Sequence, residues 1–399
     1  MTVEDILAKL VSFPVLGGES NLNIIHWIKE YVESYGVQTT LVPNNEENKA
    51  SLHCRIGPEI DGGVILSGHT DVVPVEGQEW HTDPFLLTDK GDGKLYGRGS
   101  CDMKGFIACC LAELPKMVSA TLKKPIYFAF SYDEEIGCLA GPELARAIND
   151  FYKETPKYAI IGEPSMMEPI VGQKGICVLE TYVNGSAGHS SRIPQEVSAI
   201  HESTRLILWL ENKMNQLIAN KRYDDRFHPP HSTLHVGVVN GGIAPNVIAD
   251  KAYFYWDLRT VPMDDVDEIV EEFKSYCRER EKELKSVFDG FSIKTIQNHP
   301  AVPHLDTDAN ADVVNLVKRI SGNAELNTVA YASEAGQFAL EGFQTVICGP
   351  GSIAQAHRAN EYISKEQLDK GIVMIRKLIE ELSSNRVEDS TRNPHKILQ

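Results

Sequence analysis

A chain of 399 residues, 42% hydrophobic and 24% charged, has the balance of a globular protein able to bury a sizeable core, and excludes wholesale disorder. Its 39 basic and 56 acidic side chains leave a net charge of −17, which repels phosphate backbones and anionic lipid. With no local basic patch to offset that charge and no run of about 18 apolar residues, nucleic acid and membrane are excluded as expected partners.

Met1–Leu10 alternates acidic and apolar residues and lacks the basic stretch and apolar run of a secretory signal, so no export is expected. The eight cysteines show no C-x-x-C pairing, which points to reduced thiols in a cytoplasm. Amphipathic helices are expected at Thr2–Val11 and Asn21–Tyr35. Short apolar runs bounded by turn residues follow at Ser51–Ile56, Val64–Leu66, Ile126–Phe130 and Tyr158–Ile161, with a long helical pattern over Lys104–Val118. This alternation predicts an α/β layer with a mostly parallel sheet. From about Ile176 the order becomes strand, helix, strand, strand, helix, strand. The strands are Ile176–Asn184, Thr233–Val239, Lys251–Leu258 and Phe291–Gln297, and the helices about Pro194–Ile218 and Asp264–Ser286. That order predicts an inserted β-α-β-β-α-β module of ferredoxin-like type. The α/β pattern resumes through Ala309–Ile320, Glu334–Ala339, Thr345–Cys348 and Lys365–Leu382. The expected division is therefore a discontinuous α/β domain, residues 1–175 and 299–399, interrupted by residues 176–298. The polar run 383–399 is expected to be a flexible end.

In open α/β sheets, sites form beyond the carboxyl ends of the strands, where loops converge. Four expected strand exits carry metal-type ligands: His69 and Asp71, then Asp133, Glu134 and Glu135, then Glu163, then the loop reaching His357. A fifth carboxylate, Asp102, ends a glycine-rich run before the long helix. Each alone has a plain explanation: a polar surface histidine, acids favouring a helix N-terminus, an N-cap, an exposed turn. Together they make a mixed nitrogen and oxygen donor set suited to Zn²⁺ or a similar divalent ion, too rich for one tetrahedral site and better matched to two. Neither a G-x-S-x-G elbow nor a G-x-x-x-x-G-K-S/T phosphate loop is present.

The motifs Ser67-Gly68-His69-Thr70-Asp71, Asp102-Met103-Lys104-Gly105, Asp133-Glu134-Glu135, Gly162-Glu163-Pro164 and Ala356-His357 resemble a family of co-catalytic metallohydrolases. That family includes acetylornithine deacetylase, succinyl-diaminopimelate desuccinylase, aminoacylase and carboxypeptidase G. The resemblance spans nearly the whole chain. It implies two divalent ions, Zn²⁺ first with Co²⁺ as the alternative, bridged by Asp102. His69 and Glu163 would hold one ion, and Glu135 and His357 the other. It further implies Glu134 as general base, and Asp71 orienting His69 by accepting a hydrogen bond from its second ring nitrogen. The inserted module is similar to that family's lid and dimerisation domain, which implies a homodimer. His189, in Gly188-His189-Ser190-Ser191, would then reach a neighbouring subunit's site and stabilise the oxyanion. Asn246 and Arg259 lie in stretches that look like the family's substrate-binding segments; Arg259 suits a carboxylate. Ala249 departs from the pattern, where relatives often carry proline. Ser333-Glu334-Ala335-Gly336 and the run Gly349–Tyr362 look closer to the acetylornithine deacetylase branch than to the desuccinylases. The expected substrate is a small molecule, N2-acetyl-L-ornithine, and the implied pathway arginine biosynthesis. A desuccinylase, a broad N-acyl-amino-acid hydrolase and a catalytically silent binding relative are the alternatives.

Overall fold

The computed structural model describes residues 1–383, so the expectation of a flexible end falls, from residue 384 on, outside the described residues. Helix α1 (Val3–Val11) starts at a reciprocal cap in which Thr2 accepts from the Asp5 amide and Asp5 from the Thr2 amide. Helix α2 (Leu22–Glu33), strands β1 (Thr39–Pro43), β2 (Ala50–Ile56), β3 (Val64–His69), β4 (Thr88–Asp89) and β5 (Lys94–Tyr96) follow. Next come α3 (Lys104–Ser119), β6 (Ile126–Ser131), α4 (Gly141–Phe151), β7 (Tyr158–Pro164) and β8 (Ile170–Gln173). A second stretch holds β9 (Gly175–Asn184), β10 (Gly188–His189), α5 (Ala199–Ala219), β11 (Thr233–Gly241), β12 (Val247–Ile248), β13 (Lys251–Thr260), α6 (Val266–Leu284) and β14 (Ser292–Gln297). The chain continues with β15 (Leu305–Asp306), α7 (Asp312–Ser321), β16 (Asn327–Val329), α8 (Ala335–Leu340), β17 (Gln344–Gly349), β18 (Tyr362–Ser364) and α9 (Lys365–Ser383).

The chain divides into two compact units. One holds residues 1–171 and 307–327 and continues from Ser333; the other holds 172–306 and 328–332, so its limits differ from the 176–298 read from sequence. The first unit is an α/β layer whose sheet runs β1-β2-β6-β3-β7-β17-β8. Only its centre is parallel: β6, β3, β7 and β17 run together, whereas β1, β2 and β8 join antiparallel. Strands β3, β6 and β7 are buried along their whole length, which is why they read as continuous apolar runs rather than alternating ones. Helix α3 lies in the same core, with Phe106 and Ile107 packed among Leu66, Phe128 and Ile160.

The second unit has a four-stranded antiparallel sheet in the order β11-β13-β9-β14, the order a ferredoxin-like module requires. β9 and β13 alternate buried and half-exposed residues, as a sheet with one covered face must. The buried face packs Phe254 and Trp256 against Leu206 and Leu210 of α5 and Phe273 of α6. The first helix of this module begins later than the sequence pattern suggests. Ser190–Gln195 forms a 3-10 turn containing Pro194, and Ser198 then caps α5 by accepting from the His201 amide. Among the described residues no helix is long and apolar enough to cross a membrane.

Candidate metal centre

The parallel strands of the first unit end together. His69 is the last residue of β3 and pairs with Ser131, the last of β6, and the Thr70 amide donates to the Ser131 carbonyl at 3.0 Å. Glu134 and Glu135 lie on the loop that leaves β6, Glu163 lies near the end of β7, and the loop after β17 carries His357. Asp102 precedes α3. Close approach of α3 to the sheet requires Gly162 on β7, where a Cβ would stand 2.0 Å from the Phe106 ring.

Five of the expected ligand side chains and Glu134 converge there. The ring Nδ1 of His69 lies 3.0 Å from the Asp71 carbonyl oxygen, which can only accept, so Nδ1 carries a hydrogen and Nε2 is the nitrogen turned inward. That Nε2 faces Asp102 Oδ1 at 3.2 Å, Glu163 Oε1 at 3.9 Å and Glu134 Oε2 at 4.0 Å. His357 Nε2 faces Asp102 Oδ2 at 3.4 Å and Glu135 Oε2 at 3.0 Å. The two oxygens of Asp102 thus address two different imidazoles. His69, Asp102 and Glu135 can each place a ligand atom within 4.8 Å of the others, as can His69, Glu134 and Glu163. Lone pairs facing one another at these separations repel unless a proton or cation lies between them. The imidazole and carboxylate donors suit divalent zinc or a similar ion.

The electrostatics reflect that crowding. Burial drives the Glu134 and Glu163 carboxyls well above the usual range; neighbouring carboxylates add to this and His69 opposes it. Burial and the Asp102 charge raise Glu135. Burial works against a charged His69, yet the bond to Asp102 and the charges of Glu134, Glu163 and Asp71 outweigh it and raise its pKa. Bonds to Asp102 and Glu135 carry His357 up to about 10.

The Asp71 side chain has a different partner from the one expected. Its Oδ1 is 3.7 Å from the His69 ring, too long for a hydrogen bond, and the backbone carbonyl orients the histidine instead. The carboxylate accepts from the Glu134 amide at 3.2 Å and the Glu135 amide at 3.1 Å, which draw it off the ring. Asp133 turns away from the cluster, bound to Lys49 at 2.5 Å and to the Gly18 amide at 2.8 Å. Sequence reasoning missed three participants. The Cys138 thiol donates to Glu134 Oε1 at 3.3 Å. Glu334, before α8, is buried and its carboxyl is pushed up to about 7 by that burial. Glu361 accepts from the amides of Cys101 and Asp102. Glu334 and Glu361 stood within motif runs, but nothing in one sequence gave either carboxyl a partner.

In the second unit, His189 and Asn246 come together. β10 pairs with β12, placing His189 opposite Val247, and the Ser190 amide donates to the Asn246 carbonyl at 3.1 Å. His189 is exposed; its Nδ1 accepts from the Ser191 amide at 3.2 Å and lies 2.8 Å from the Ser191 hydroxyl, so it also caps the 3-10 turn. Arg259, on β13, donates to the Ala330 carbonyl at 3.1 Å and to Asp257 at 3.2 Å.

The family model for peptidase family M20/M25/M40 matches residues 65–381. An acetylornithine deacetylase of Aliivibrio salmonicida is 32% identical over 361 residues, covering 90% of this chain and 92% of that protein. One from Pasteurella multocida is 32% identical over 370 residues, covering 90% and 91%. Among solved structures, an M20 family metallo-carboxypeptidase from Sulfolobus solfataricus superposes with a TM-score of 0.75 at 19% identity, covering 96% of this chain and 99% of that one. A dinuclear metal-binding M20 peptidase from Bacillus subtilis gives 0.63 at 14% identity, covering 94% and 96%. These structures share the fold.

Proposed function

The chain belongs to peptidase family M20/M25/M40 as a metal-dependent amide hydrolase, and from that premise we propose that it removes the acetyl group of N2-acetyl-L-ornithine, yielding L-ornithine and acetate for arginine biosynthesis. Two divalent ions, Zn²⁺ or alternatively Co²⁺, would be held by His69 and Glu163 on one side and Glu135 and His357 on the other, with Asp102 between. The observation that carries this reading is Asp102 itself, whose two oxygens face separate imidazoles at 3.2 and 3.4 Å. When bound, such a pair of ions supplies Lewis acidity, making water a better acid and polarising the scissile carbonyl.

The chain's own groups do the rest. Glu134 takes the proton of the attacking water at Oε2, on the side facing His69, and passes it to the departing amine nitrogen. Burial favours that carboxyl in its protonated form, and the Cys138 thiol fixes its other oxygen. Asp71 steadies Glu134 and Glu135 through their amides. Arg259 pairs with the substrate's free α-carboxylate and Asn246 helps bind the substrate, while His189 of a second copy donates to the developing oxyanion. This last step makes the working form a homodimer. The eight cysteines are free thiols, which supports a reducing cytoplasm.

The test is kcat/KM of the Zn²⁺-loaded protein for N2-acetyl-L-ornithine, its α-amide, N-succinyl-diaminopimelate and acetylated neutral amino acids, with and without a chelator. We expect chelator-sensitive preference for acetylornithine and a drop of at least about tenfold for the α-amide, which leaves Arg259 without its anion. Preference for the succinyl substrate would transfer the assignment to desuccinylation, and absence of any hydrolysis would mark a silent relative.

A further inference from the structure

His69 and His357 are held in very different ways. His69 closes a buried strand, with its side chain 1% exposed, whereas His357 sits on a loop with a left-handed backbone (φ 60°) and a side chain 56% exposed. A ligand on such a loop needs support from outside its own segment. Glu361 and Arg98 provide it; both side chains are 1% exposed and they form an ion pair at 2.7 Å. Glu361 Oε1 accepts from the consecutive amides of Cys101 and Asp102 at 2.9 and 3.1 Å. Arg98 donates through one terminal nitrogen to Glu361 and to the Arg358 carbonyl at 3.2 Å. Through the other it donates to Gln78 Oε1 at 2.6 Å and the Pro74 carbonyl at 3.4 Å. Its guanidinium carbon lies over the Trp80 ring, 5.1 Å from the centroid. Gln78 completes the circuit by donating to the His357 carbonyl at 2.9 Å. Asn360 adds two more ties to the same segment, accepting from the His81 amide and donating to the Glu79 carbonyl.

Resting on the two-metal reading above, we infer that Arg98, Glu361 and Gln78 form a clamp of positioning residues that holds the Asp102 loop and the His357 loop in register. The clamp thereby bears most on the ion site that Asp102, Glu135 and His357 would share; it reaches the His69 side through Asp102 alone, since His69 is held by its own strand. The chemistry of each member suits the task. A carboxylate can accept from two successive amides and still face a cation, and a guanidinium fork offers five donors in a fixed plane, enough for the four acceptors here, where an ammonium has three. Outer partners of this kind change metal affinity about 10- to 100-fold when lost.

The test is calorimetric titration of metal-stripped protein with Zn²⁺, beside local hydrogen exchange of the metal-free protein, for Gln78→Ala, Glu361→Gln, Glu361→Ala and Arg98→Lys. Expected are two equivalents in the parent. In the variants one equivalent weakens at least about tenfold and the other distinctly less, because Asp102 touches both sides but His357 only one; the loss is smaller for Glu361→Gln, which keeps an acceptor for the two amides, than for Glu361→Ala. Exchange should rise in residues 97–104 and 355–361 and not in β3. Gln78→Ala removes a half-buried side chain, so it reports even if the buried substitutions do not fold. Parental affinity for both ions overturns the inference, as does equal weakening of both with exchange rising evenly through the first unit. Fewer than two equivalents in the parent would refute the two-metal reading instead. The exchange pattern would then decide the clamp by itself: a local rise supports it, and no rise or a uniform one overturns it.

Discussion

Asp71→Asn separates two roles that sequence motifs do not distinguish. The carboxylate accepts one amide hydrogen on each oxygen, from Glu134 at 3.2 Å and Glu135 at 3.1 Å, in a wholly buried setting. Hydrogen bonds to a charged group contribute about 1.5–3 kcal/mol each. Asparagine keeps one acceptor but sets an NH₂ against the second amide, so one such bond is lost and one buried donor is left unpaired. We expect destabilisation of about 3 kcal/mol and a melting temperature lower by on the order of 5 °C. Turnover should fall about 10²-fold, because the residues that shift are Glu134 and Glu135, and displacement of a reacting group by about 1 Å costs that much. Zn²⁺ affinity on the His69 side should persist, since the carbonyl that fixes the imidazole is backbone and survives the substitution. Thermal melts, Zn²⁺ titration and kcat together decide the matter. Selective loss of the His69-side ion with an unchanged melting temperature would refute the reasoning and restore the side chain as the orienting group.

Glu134→Gln should retain metal while turnover falls by more than about 10²-fold, because the amide cannot take the proton from water; near-parental turnover would remove Glu134 from the role of base. His189→Ala should lower turnover without releasing metal, and subunit exchange with inactive Glu134→Gln should restore part of the activity, since a mixed dimer completes one of its two sites. Demonstrated exchange with no recovery would place His189 in its own subunit's site or outside catalysis.

What the sequence made legible follows from how each feature is encoded. Central parallel strands are buried on both faces, so Val64–Leu66, Ile126–Phe130 and Tyr158–Ile161 stand out as apolar runs, and their exits locate His69, Glu134, Glu135 and Glu163 within one region. The ferredoxin-like module was legible because strand and helix periods alternate cleanly there. β1, partly exposed along its length and ending in proline, gives no such run. The small sheet that joins β5 to β18 pairs Tyr96 with Tyr362, and Arg98 meets Glu361 across a separation no local pattern spans. Asp71 illustrates a further limit. A residue beside a ligand can act through its carbonyl or its carboxylate, and only geometry tells which.

Charge balance carries the two-ion reading further than ligand geometry alone. Asp71, Asp102, Glu134, Glu135, Glu163 and Glu334 bring six carboxyl groups to one buried region, and imidazoles acting as ligands are neutral there. Of the nearby cations, Lys49 pairs with Asp133 and Arg98 with Glu361, while burial brings Lys104, which donates to the Phe13 carbonyl, down to about 7. Isolated buried charges are strongly unfavourable, so the cluster must bind protons or cations. One divalent ion would leave most of the charge uncompensated. Two would offset four of the six, burial favours a proton on Glu334, and the charge left on Glu134 is the one that lets it take a proton from water before donating to the departing amine. The charge that makes the pocket costly without ions is therefore the charge that suits Glu134 to carry a proton between water and product once they are bound.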